Sequence, residues 1–411
     1  MPGMETSERP ALVLRPFRGV RFTVDDLAAV TSPPYDLVSP EDVQDLLDSH
    51  PNNVVRLILP GASHYTDARA ELNAWMTSGV LTVDPLPALY VYEQSAPGVL
   101  QRGLIGAVEV GSPAVLPHED VMPGPVADRL ALMRTTEANL EPIFLLYEGG
   151  GTASRLVDEV ASLRVPLLDV QTGDGFRHRL WGITDPVEIA AVGEDLRNRQ
   201  ALIADGHHRY ATYQKLREDR EESGPWDYGL ALLVDSTAYP PDLKAIHRVI
   251  PDLPLSEAAA RAKGAWQVQE FVSLEDALSG LATATGPAFV LAGDGPSHLL
   301  TSPDPLQVEH AMPPDRSARW RAMDTSILTE FLLPKVWGIP DDERRVLVVH
   351  HDPYAAVRLA RQLSGTAVLL NPLATEDALA VAAQGERVPR KSTSFSPKPR
   401  TGLVMRIFAA E

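Results

Sequence analysis

The 411-residue sequence contains no cysteine and no long apolar run. The missing cysteine excludes disulfide bonds, thiolate nucleophiles and cysteine-ligated zinc sites. No stretch approaches the roughly 18 consecutive apolar residues of a membrane span. The N-terminal segment MPGMETSERPALVLRPF also lacks the basic and apolar regions of a secretory signal. We therefore expect a cytoplasmic protein that makes no membrane contact.

Basic residues are scarce relative to acidic ones. The chain has 37 Lys and Arg against 55 Asp and Glu, which gives a formal net charge of −18. Such a charge repels DNA, so no DNA partner is expected. One basic stretch stands out, RVPRKSTSFSPKPR (387–400). This stretch is either a solubilising loop or a binding site for a small anion.

The two common glycine-rich phosphate motifs are missing as well. The sequence has neither the Gly-x-x-x-x-Gly-Lys loop nor the Gly-x-Gly-x-x-Gly fingerprint, which argues against P-loop and Rossmann proteins. Apolar strand-like runs instead alternate with amphipathic helical stretches, and this predicts a mixed α/β (α+β) fold. The length calls for at least two packed units. A proline-rich turn before an alanine-rich helix (251–264) suggests units 1–250 and 251–411, with the loop 385–400 returning to the cleft of the first unit.

Local patterns predict individual elements. Ser39 and Asp42 have capping-box spacing at the start of a helix, and a second helix is expected over 63–79. NVVRLIL (53–59) reads as a strand, and 87–94 and 104–110 read as paired strands. Further strands are expected at 143–147, 165–170, 177–183, 201–204, 228–234, 244–250, 288–293, 345–351, 367–371 and 402–408.

The stretch ALIADGHHRY (201–210) carries the most specific chemistry. A strand that turns at Asp205-Gly206 into a helix presents backbone N–H groups at the helix start, and these favour an anion. The next three residues are His207, His208 and Arg209, cationic types that the helix dipole disfavours there. A bound phosphate would explain them, with Arg209 forked onto its oxygens. The alternative is an ordinary Asp cap with surface histidines.

Three other stretches hold candidate residues. HED at 118–120 lies between prolines, and Glu119 is a candidate general base or Mg²⁺ ligand, the alternative being a solvated charge run. SPPYD (32–36) places Tyr35 and Asp36 after two rigid prolines, either toward a ligand or in a packed turn. The basic stretch offers several phosphate donors. These donors are Arg390, Lys391, Ser392, Thr393 and Lys398.

Taken in order, these stretches resemble the bacterial and archaeal family called domain of unknown function 1015. The resemblance runs from about residue 12 to residue 405. Two of its segments are specific, ADGHHRY and P-x-KST-x-F-x-PK. The sequence departs from the family pattern at Val121, where threonine is usual, and at Ser396, where tyrosine is usual.

The Asp-Gly-His-His-Arg corner also resembles the nucleotide-phosphate corner of the ParB/sulfiredoxin superfamily, which includes a free-serine kinase. Sulfiredoxin has a catalytic cysteine where this chain has His207, so the absence of cysteine excludes sulfinic-acid repair. The CTP-binding, DNA-associated role of ParB does not fit a chain with a net charge of −18. The serine kinase fits best. The resemblance implies a ParB/sulfiredoxin-like core with a second α/β unit.

The resemblance also implies roles for particular residues. Nucleotide phosphates would be held by Asp205, Gly206, His207, His208, Arg209, Lys391, Ser392, Thr393 and Lys398. Catalysis would fall to Glu119, as the base, and His208. Substrate contacts would come from Tyr35, Asp36, His118 and Arg134. No protein-bound metal site is assigned.

The leading functional hypothesis is a small-molecule kinase that uses ATP or ADP with Mg²⁺ to phosphorylate serine or a similar hydroxylated metabolite. One alternative is a nucleotide-binding switch protein that transfers no phosphoryl group. Another is a phosphatase acting on the same phosphomonoester. The partners expected are a small-molecule substrate and a nucleotide, and the sequence leaves the oligomeric state open. The whole hypothesis requires an anion site at the corner, so burial of Arg209 in a carboxylate pair, with no cavity in front of the bend, would end the case for it.

Overall fold

Two β-sheets, one in each of two compact units, organise the chain. The structure is a computed structural model and describes residues 11–61, 64–342 and 344–411. Unit 1 comprises the described residues up to Pro117 together with Val121–Pro241 and Pro397–Glu411. Unit 2 comprises His118–Asp120 and Asp242–Ser396. The division therefore falls before the turn at 251–264, and the last part of the loop 385–400 belongs to unit 1.

The strands in chain order are β1 (Leu14–Arg15), β2 (Val20–Phe22), β3 (Leu81–Val83), β4 (Leu89–Ala96), β5 (Val99–Glu109), β6 (Val115–Leu116), β7 (Ala138–Asn139), β8 (Ile143–Tyr147), β9 (Leu168–Gln171), β10 (Arg177–Ile183), β11 (Ala201–Asp205), β12 (Tyr228–Asp235), β13 (Asp242–Lys244), β14 (Ile246–Ile250), β15 (Gln267–Phe271), β16 (Phe289–Ala292), β17 (Ser297–Thr301), β18 (Leu347–His350), β19 (Thr366–Leu369), β20 (Ser394–Ser396) and β21 (Arg406–Ile407).

The α-helices are α1 (Leu27–Val30), α2 (Pro40–Ser49), α3 (Val55–Ile58), α4 (Tyr65–Thr77), α5 (Pro123–Thr136), α6 (Thr152–Leu163), α7 (Pro186–Leu196), α8 (His207–Glu218), α9 (Leu255–Ala262), α10 (Leu274–Thr283), α11 (Pro305–Ala311), α12 (Ala318–Arg321), α13 (Asp324–Ile327), α14 (Pro353–Gln362) and α15 (Thr375–Ala383). Short 3₁₀ turns occupy Tyr35–Leu37, Pro225–Asp227 and Phe408–Ala410, and a π-helix runs over Leu328–Trp337.

Unit 1 is built on a nine-stranded mixed sheet. The strand order is β6-β11-β8-β12-β5-β4-β10-β9, and β1 pairs with β5. Strand β8 lies inside the sheet, and all five of its residues, IFLLY, are buried. Helices α6, α7 and α8 contribute apolar side chains to the same core as β8 and β11. In α6, Leu156 and Val160 stand one turn apart and form part of its buried stripe.

The C-terminal segment completes unit 1. Strand β21 pairs with β7, and the backbone of Met405 exchanges hydrogen bonds with that of Val20. The Arg406 side chain is fully buried, and it donates to Glu411, to Asn139 and to two backbone carbonyl oxygens. Burial of a charged side chain requires such complete pairing.

Unit 2 contains a six-stranded sheet with the order β15-β17-β16-β19-β14-β18, in which every recorded pairing is antiparallel. A separate two-stranded antiparallel sheet pairs β13 with β20. Apolar residues of α9, β16 and the π-helix share one core cluster on this sheet. Helices α10 and α14 contribute to a second cluster with β14, β16 and β19.

The mixed α/β prediction is confirmed, and so are several local predictions. Ser39 and Asp42 form the expected capping box of α2. Strands β4 and β5 pair as an antiparallel hairpin. Across the described residues, no helix combines the length and the apolar character that a membrane crossing requires.

The predicted strand over 53–59 is wrong, because this segment contains helix α3. The Asn53 side chain accepts a hydrogen bond from the Val55 backbone at 2.9 Å and donates to the Ala29 carbonyl at 2.8 Å, which starts a helical turn. Val55, Leu57 and Ile58 are all buried, so tertiary packing overrides their strand propensity. Within the predicted strand 402–408, only Arg406–Ile407 pairs as β21.

Candidate functional site

A sharp corner joins β11 to α8. The pairing of β11 with β8 shifts register between Ile203 and Asp205, and such an irregularity re-aims a side chain at the end of a strand. Gly206 then adopts a left-handed φ of 94°, and a Cβ built on it would lie 2.9 Å from Cγ2 of Ile143. Any other residue would therefore be strained and crowded at this position. Helix α8 begins immediately afterwards, at His207.

The first turn of α8 retains the features of an anion site. Its cap, Gly206, supplies no side-chain oxygen to the helix N–H groups, and no acidic residue occupies the first turn. The N-terminal end of a helix carries a partial positive charge. This geometry favours an anion that approaches the corner from outside the helix.

A buried lysine contacts the same corner. The Lys398 ammonium group lies 2.5 Å from Asp205 and also donates to the Asp36 carboxylate, while its side chain is only 6% exposed. Burial acts to lower the pKa of Lys398, but the charges of Asp205 and Asp36 outweigh it, so its pKa is raised. Lys398 therefore stays charged and joins three segments that are distant in the sequence.

Arg209 is also buried, and it points inward. Its Nη2 donates to Asp205 at 2.6 Å and its Nη1 donates to the Pro142 carbonyl at 2.6 Å. Burial acts to lower the pKa of Arg209, but neighbouring Glu141 and Asp205 raise it overall. The two donors expected to fork onto a phosphate are therefore already engaged with the protein. The first of the two conditions that would end the case for an anion site, burial of Arg209 in a carboxylate pair, is therefore met. This pairing also opposes a direct phosphate contact by Arg209.

The cavity that Arg209 lines is small. It measures about 30 Å³ and is bordered by Arg129, Asn139, Glu141 and Tyr213, among others. The Arg209 Nε is buried without a hydrogen-bond partner in the structure. A cavity of this size holds one water molecule, not a phosphate group.

Tyr35 and Asp36 lie in the same cluster. The Tyr35 ring is flanked by the guanidinium groups of Arg129, at 4.7 Å from its centroid, and Arg209, at 5.7 Å. The Tyr35 backbone N–H donates to Glu141 at 3.0 Å. Burial raises the pKa of the Tyr35 hydroxyl to about 12, although the Arg209 charge opposes this. Tyr35 is therefore a neutral ring between two cations.

His207 and His208 occupy the first turn of α8, and His207 is buried. The Nε2 atom of His208 accepts a hydrogen bond from the Met122 backbone at 3.1 Å. Met122 is the residue before α5. His208 thus connects the starts of two helices, α5 and α8.

Arg134 does not join this cluster. It lies near the end of α5 and pairs with Asp219, the residue that follows α8. Helix α8 has 12 residues, so its two ends are about 18 Å apart. Arg134 is thus at the opposite end of α8 from the corner.

Five of the predicted site residues belong to unit 2. They are His118, Glu119, Lys391, Ser392 and Thr393, and the candidate phosphate donor Arg390 lies in unit 2 as well.

Within unit 2, three of these residues form a cluster. The Thr393 hydroxyl donates to Glu119 Oε2 at 3.2 Å and lies 2.8 Å from His118 Nε2. The imidazole of His118 meets the Phe395 ring edge-on at 5.9 Å. The backbone N–H of Val388 donates to the His118 carbonyl at 2.7 Å, which fixes 118–120 beside the basic stretch.

Arg248 holds two backbone carbonyls of the basic stretch. Its buried guanidinium donates to the Lys391 carbonyl at 2.9 Å and to the Arg390 carbonyl at 3.4 Å. Lys391 has a left-handed φ of 55°. Burial lowers the pKa of Arg248 to about 10, while Asp341 and Glu119 act to raise it. Ser392 is buried and donates to the Pro389 carbonyl at 2.6 Å.

Three residues of these clusters were not among the predicted site residues, namely Glu141, Arg129 and Arg248. Glu141 is a buried acid two residues before the apolar strand β8, and that position is a recognisable signal. Arg248 lies within a short strand, β14, in which every residue is buried. A charged residue inside such a run indicates an internal partner.

A larger cleft of unit 1 contains none of the predicted site residues. It has a volume of about 760 Å³, and Arg15, Arg18, Tyr228, Arg406 and Phe408 are among the residues that line it. The Arg15 guanidinium lies 4.4 Å from the Tyr228 ring centroid. This cleft offers charge and aromatic surface but no Asp-Gly-His-His-Arg corner.

Comparison with known protein families identifies a family for this chain. The family model described as "Protein of unknown function (DUF1015)" matches residues 14–326. None of the curated proteins matches this chain.

Several solved structures are partly similar to the structure of this chain. A free serine kinase in complex with AMP is 13% identical, with 72% of this chain and 90% of that chain covered and a TM-score of 0.37. A conserved hypothetical protein from Pyrococcus furiosus is 14% identical, with 72% and 94% covered and a TM-score of 0.37. SbnI with a C-terminal truncation, from Staphylococcus aureus, is 11% identical, with 74% and 87% covered and a TM-score of 0.39. At such scores, function has to be argued from the chain's own residues.

Proposed function

Since the chain belongs to the family described as "Protein of unknown function (DUF1015)", whose description assigns no reaction, we propose its function from its own geometry. We infer that it is a phosphotransferase. It moves a phosphoryl group from ATP or ADP, bound with Mg²⁺, to the hydroxyl of serine or a similar small metabolite. The observation that carries this proposal is the left-handed Gly206 corner at the start of α8.

The corner supports phosphate binding through its backbone. Gly206 has no side chain, so a phosphate can approach the N–H groups of the first turn of α8 closely. No carboxylate occupies that first turn to repel it. The resemblance of Asp-Gly-His-His-Arg to a nucleotide-phosphate corner supports the same role for Gly206 and the backbone at the start of α8.

Lys398 and Asp36 add charge and polarity to the corner. Both contact each other, and Lys398 also contacts Asp205. A lysine ammonium group has three N–H donors, and the two contacts to carboxylates use two of them. The third remains for a phosphate oxygen. We therefore assign Lys398 to the phosphate and Asp36 to the polar end of the substrate.

Arg209 receives a different role from the one first expected. Because both of its Nη groups donate to the protein, we assign it to holding Asp205 and the Gly206 turn in place. Positioning of this kind is the main contribution that proteins make to phosphoryl transfer, because the reaction needs alignment and charge neutralisation.

Glu119 is proposed as the general base. It is buried, and its carboxylate accepts a hydrogen bond from the Thr393 hydroxyl. Within the described ranges, no group of three or more His, Asp and Glu side chains could hold a metal ion. We therefore treat Mg²⁺ as part of the substrate, bound to the nucleotide phosphates.

Nucleotide titration and product analysis test this proposal. Isothermal titration with ATP, ADP and CTP measures binding, and phosphorus NMR after incubation with Mg²⁺ and serine detects phosphoserine. We expect Lys398→Met to weaken nucleotide binding at least tenfold. The matched control, Arg134→Gln, removes a cation at the far end of α8 and should leave affinity unchanged.

Two results would redirect the proposal. Binding without any product would instead support a nucleotide-binding switch. Release of inorganic phosphate from phosphoserine without added nucleotide would support a phosphatase. Wild-type protein that binds none of the three nucleotides would contradict the phosphotransferase.

A further inference from the structure

Two arginines in the cleft of about 760 Å³ in unit 1 have no acidic partner. The Arg15 guanidinium lies 4.4 Å from the centroid of the Tyr228 ring, and the Arg18 Nε donates to the Asp84 carbonyl at 3.0 Å. Arg15 is exposed and Arg18 is half-buried. Across the described part of the chain, no carboxylate forms an ion pair with either arginine. Their terminal N–H groups therefore remain available to a ligand in the cleft.

The acidic side chains of the cleft already have cationic partners. Both carboxylate oxygens of Glu411 accept from Arg406, at 2.5 and 2.7 Å. Asp227 accepts from the Gly224 backbone N–H at 2.9 Å and lies 3.4 Å from Arg217 Nε. The two acids are thus neutralised by other arginines, and the cleft keeps a surplus of positive charge.

The backbone that carries the two free arginines is held on both sides. Arg15 belongs to β1, which pairs with β5. The backbones of Phe17 and Ala88 exchange two hydrogen bonds, at 3.1 and 3.0 Å, and the Phe17 side chain is buried. A segment that is fixed before binding loses little conformational freedom when a ligand arrives. The two guanidinium groups therefore extend from a prepared backbone.

Proline and aromatic side chains form an apolar part of the cleft wall. Pro16, Pro87, Pro225 and Phe408 are among the lining residues. The Phe408 ring is held by the guanidinium of the buried Arg406, at 5.3 Å from the ring centroid. Clefts of several hundred Å³ that combine apolar surface with a few charged groups are typical of small-molecule sites. A ligand with an apolar body and one charged end matches this wall.

We propose that the cleft is a second ligand site of unit 1 and that it binds a small organic monocarboxylate with an apolar body. Arg15 and Arg18 bind the carboxylate, because a guanidinium group presents parallel N–H donors that match two carboxylate oxygens. The apolar body lies against the proline and aromatic side chains. This inference does not depend on the proposed phosphotransferase, because no residue of the Gly206 corner lines the cleft.

The charge of the cleft favours a monocarboxylate over a nucleotide. Its lining contains three arginines, Arg15, Arg18 and Arg406, and two acids, Asp227 and Glu411. One negative charge on the ligand balances this surplus. A nucleotide triphosphate would bring several negative charges close to the two acids, in a chain whose net charge is already −18.

Isothermal titration of the full-length chain with phenylacetate tests the inference. We expect saturable binding that Arg15→Gln and Arg18→Gln each weaken at least ~10-fold, because each removes a charge-assisted contact. Phenylacetamide has nearly the same shape without the charge, and it should bind at least ~10-fold more weakly. The matched control is Arg177→Gln, which removes an exposed arginine of the same unit outside the cleft and should leave the affinity unchanged.

The arginine variants are expected to fold, since neither substitution breaks an ion pair. Thermal unfolding of each variant checks this. If a variant fails to fold, the comparison of phenylacetate with phenylacetamide on the wild-type chain decides.

Several results would overturn the inference. These are no saturable binding of phenylacetate up to about 10 mM, equal affinity for phenylacetamide, or unchanged affinity in both arginine variants. Tighter binding of phenyl phosphate would indicate a phosphate site instead of a carboxylate site. Displacement of phenylacetate by ATP would indicate that the cleft holds the nucleotide, and it would overturn both this inference and the assignment of the nucleotide to the Gly206 corner.

The same titrations separate this inference from the proposed function. A chain that binds ATP but not phenylacetate contradicts the monocarboxylate site alone. A chain that binds phenylacetate but none of ATP, ADP and CTP contradicts the phosphotransferase alone.

Discussion

The proposed phosphate site depends on Lys398 more than on any other single side chain. It lies beside Asp36 and Asp205 with only 6% of its side chain exposed. Two partly buried carboxylates share this cation, so its removal takes a positive charge away from both. Asp205 still accepts a hydrogen bond from Arg209. Loss of one partner of a buried ion pair is far more costly than loss of a surface pair.

We predict that Lys398→Met lowers the free energy of unfolding by about 3 to 5 kcal/mol, since it removes a buried cation that two partly buried carboxylates share. The matched control is Arg177→Met in the same unit, where Arg177 and Asp169 are 52% and 34% exposed. Because this ion pair is exposed, its loss should destabilise the protein much less than Lys398→Met does. Urea denaturation measures both, and equal losses in the two variants would contradict the account.

The pH dependence of the Lys398 contribution has a definite sign. Its pKa is raised because Asp205 and Asp36 outweigh the burial that lowers it. A raised folded-state pKa gives stability that is fully present below the unfolded pKa of about 10.5. We predict that this stability is lost only as the pH rises beyond that value. Urea denaturation of wild type and Lys398→Met between pH 7 and 11 checks this prediction. A difference in free energy of unfolding between the two proteins that already narrows below pH 9 would contradict it.

Gly206 is the second residue with a sharp prediction. Its φ of 94° and the 2.9 Å approach to Ile143 leave no room for a side chain. Gly206→Ala should therefore lower the free energy of unfolding by about 1 to 3 kcal/mol. Gly124→Ala is the control, because nothing lies within 4 Å of that position and it is helical. The control should be neutral or slightly stabilising. Thermal or urea unfolding measures both variants. If Gly206→Ala does not destabilise the protein, the corner is not strained.

At the scale of single elements, β10 contains a buried titratable group. His178 lies 2.9 Å from the Tyr92 hydroxyl and 3.2 Å from that of Thr172. Burial lowers the pKa of His178 to about 4, and the Arg400 charge acts in the same direction. The folded state therefore keeps this imidazole neutral at a pH where the unfolded chain takes up a proton.

This histidine predicts acid sensitivity. Between about pH 6.5 and the folded-state pKa of about 4, the unfolded state binds more protons, so stability falls as the pH falls. We expect His178→Gln to remove about 1 to 3 kcal/mol of the stability difference between pH 7 and pH 4.5. Urea denaturation at both pH values measures it. An unchanged difference in the variant would show that His178 is not held neutral.

Elements were predictable where local rules act alone. The capping box of α2, the hairpin of β4 and β5 and the glycine turn before α8 follow from short-range patterns. The segment 53–59 was not, because the Asn53 side chain and burial against α4 select a helix over the strand propensity of its Val, Leu and Ile residues. The corner itself was visible in the sequence, but the inward direction of Arg209 was not, since its partner Pro142 is distant in the chain.

At the scale of the whole molecule, unit 1 is assembled from segments that are far apart in the sequence. Its C-terminal residues supply Lys398, the buried Arg406 and strand β21. The return of the basic loop to the cleft stays a prediction. The sequence could not show which carboxylates Lys398 contacts. Such pairings depend on the complete fold.

We predict that a chain ending at residue 396 destabilises unit 1 selectively. The truncation removes the partner of β7 and leaves Asp36 and Asp205 without Lys398. Each unit contains three tryptophans, with Trp75, Trp181 and Trp226 in unit 1 and Trp266, Trp320 and Trp337 in unit 2. Tryptophan-to-phenylalanine variants allow each unit to be followed by fluorescence. If unit 1 unfolds at the same denaturant concentration in the truncated chain as in the full-length chain, the prediction is contradicted.

The central claim is that the Gly206 corner binds a nucleotide phosphate that the chain then transfers. Phosphorus NMR of the full-length protein with ATP or ADP, Mg²⁺ and serine tests it most directly. The account predicts a phosphoserine resonance that grows as the donor is consumed and that Glu119→Gln reduces at least ~100-fold. A donor spectrum that stays unchanged, together with no heat of nucleotide binding, would contradict it.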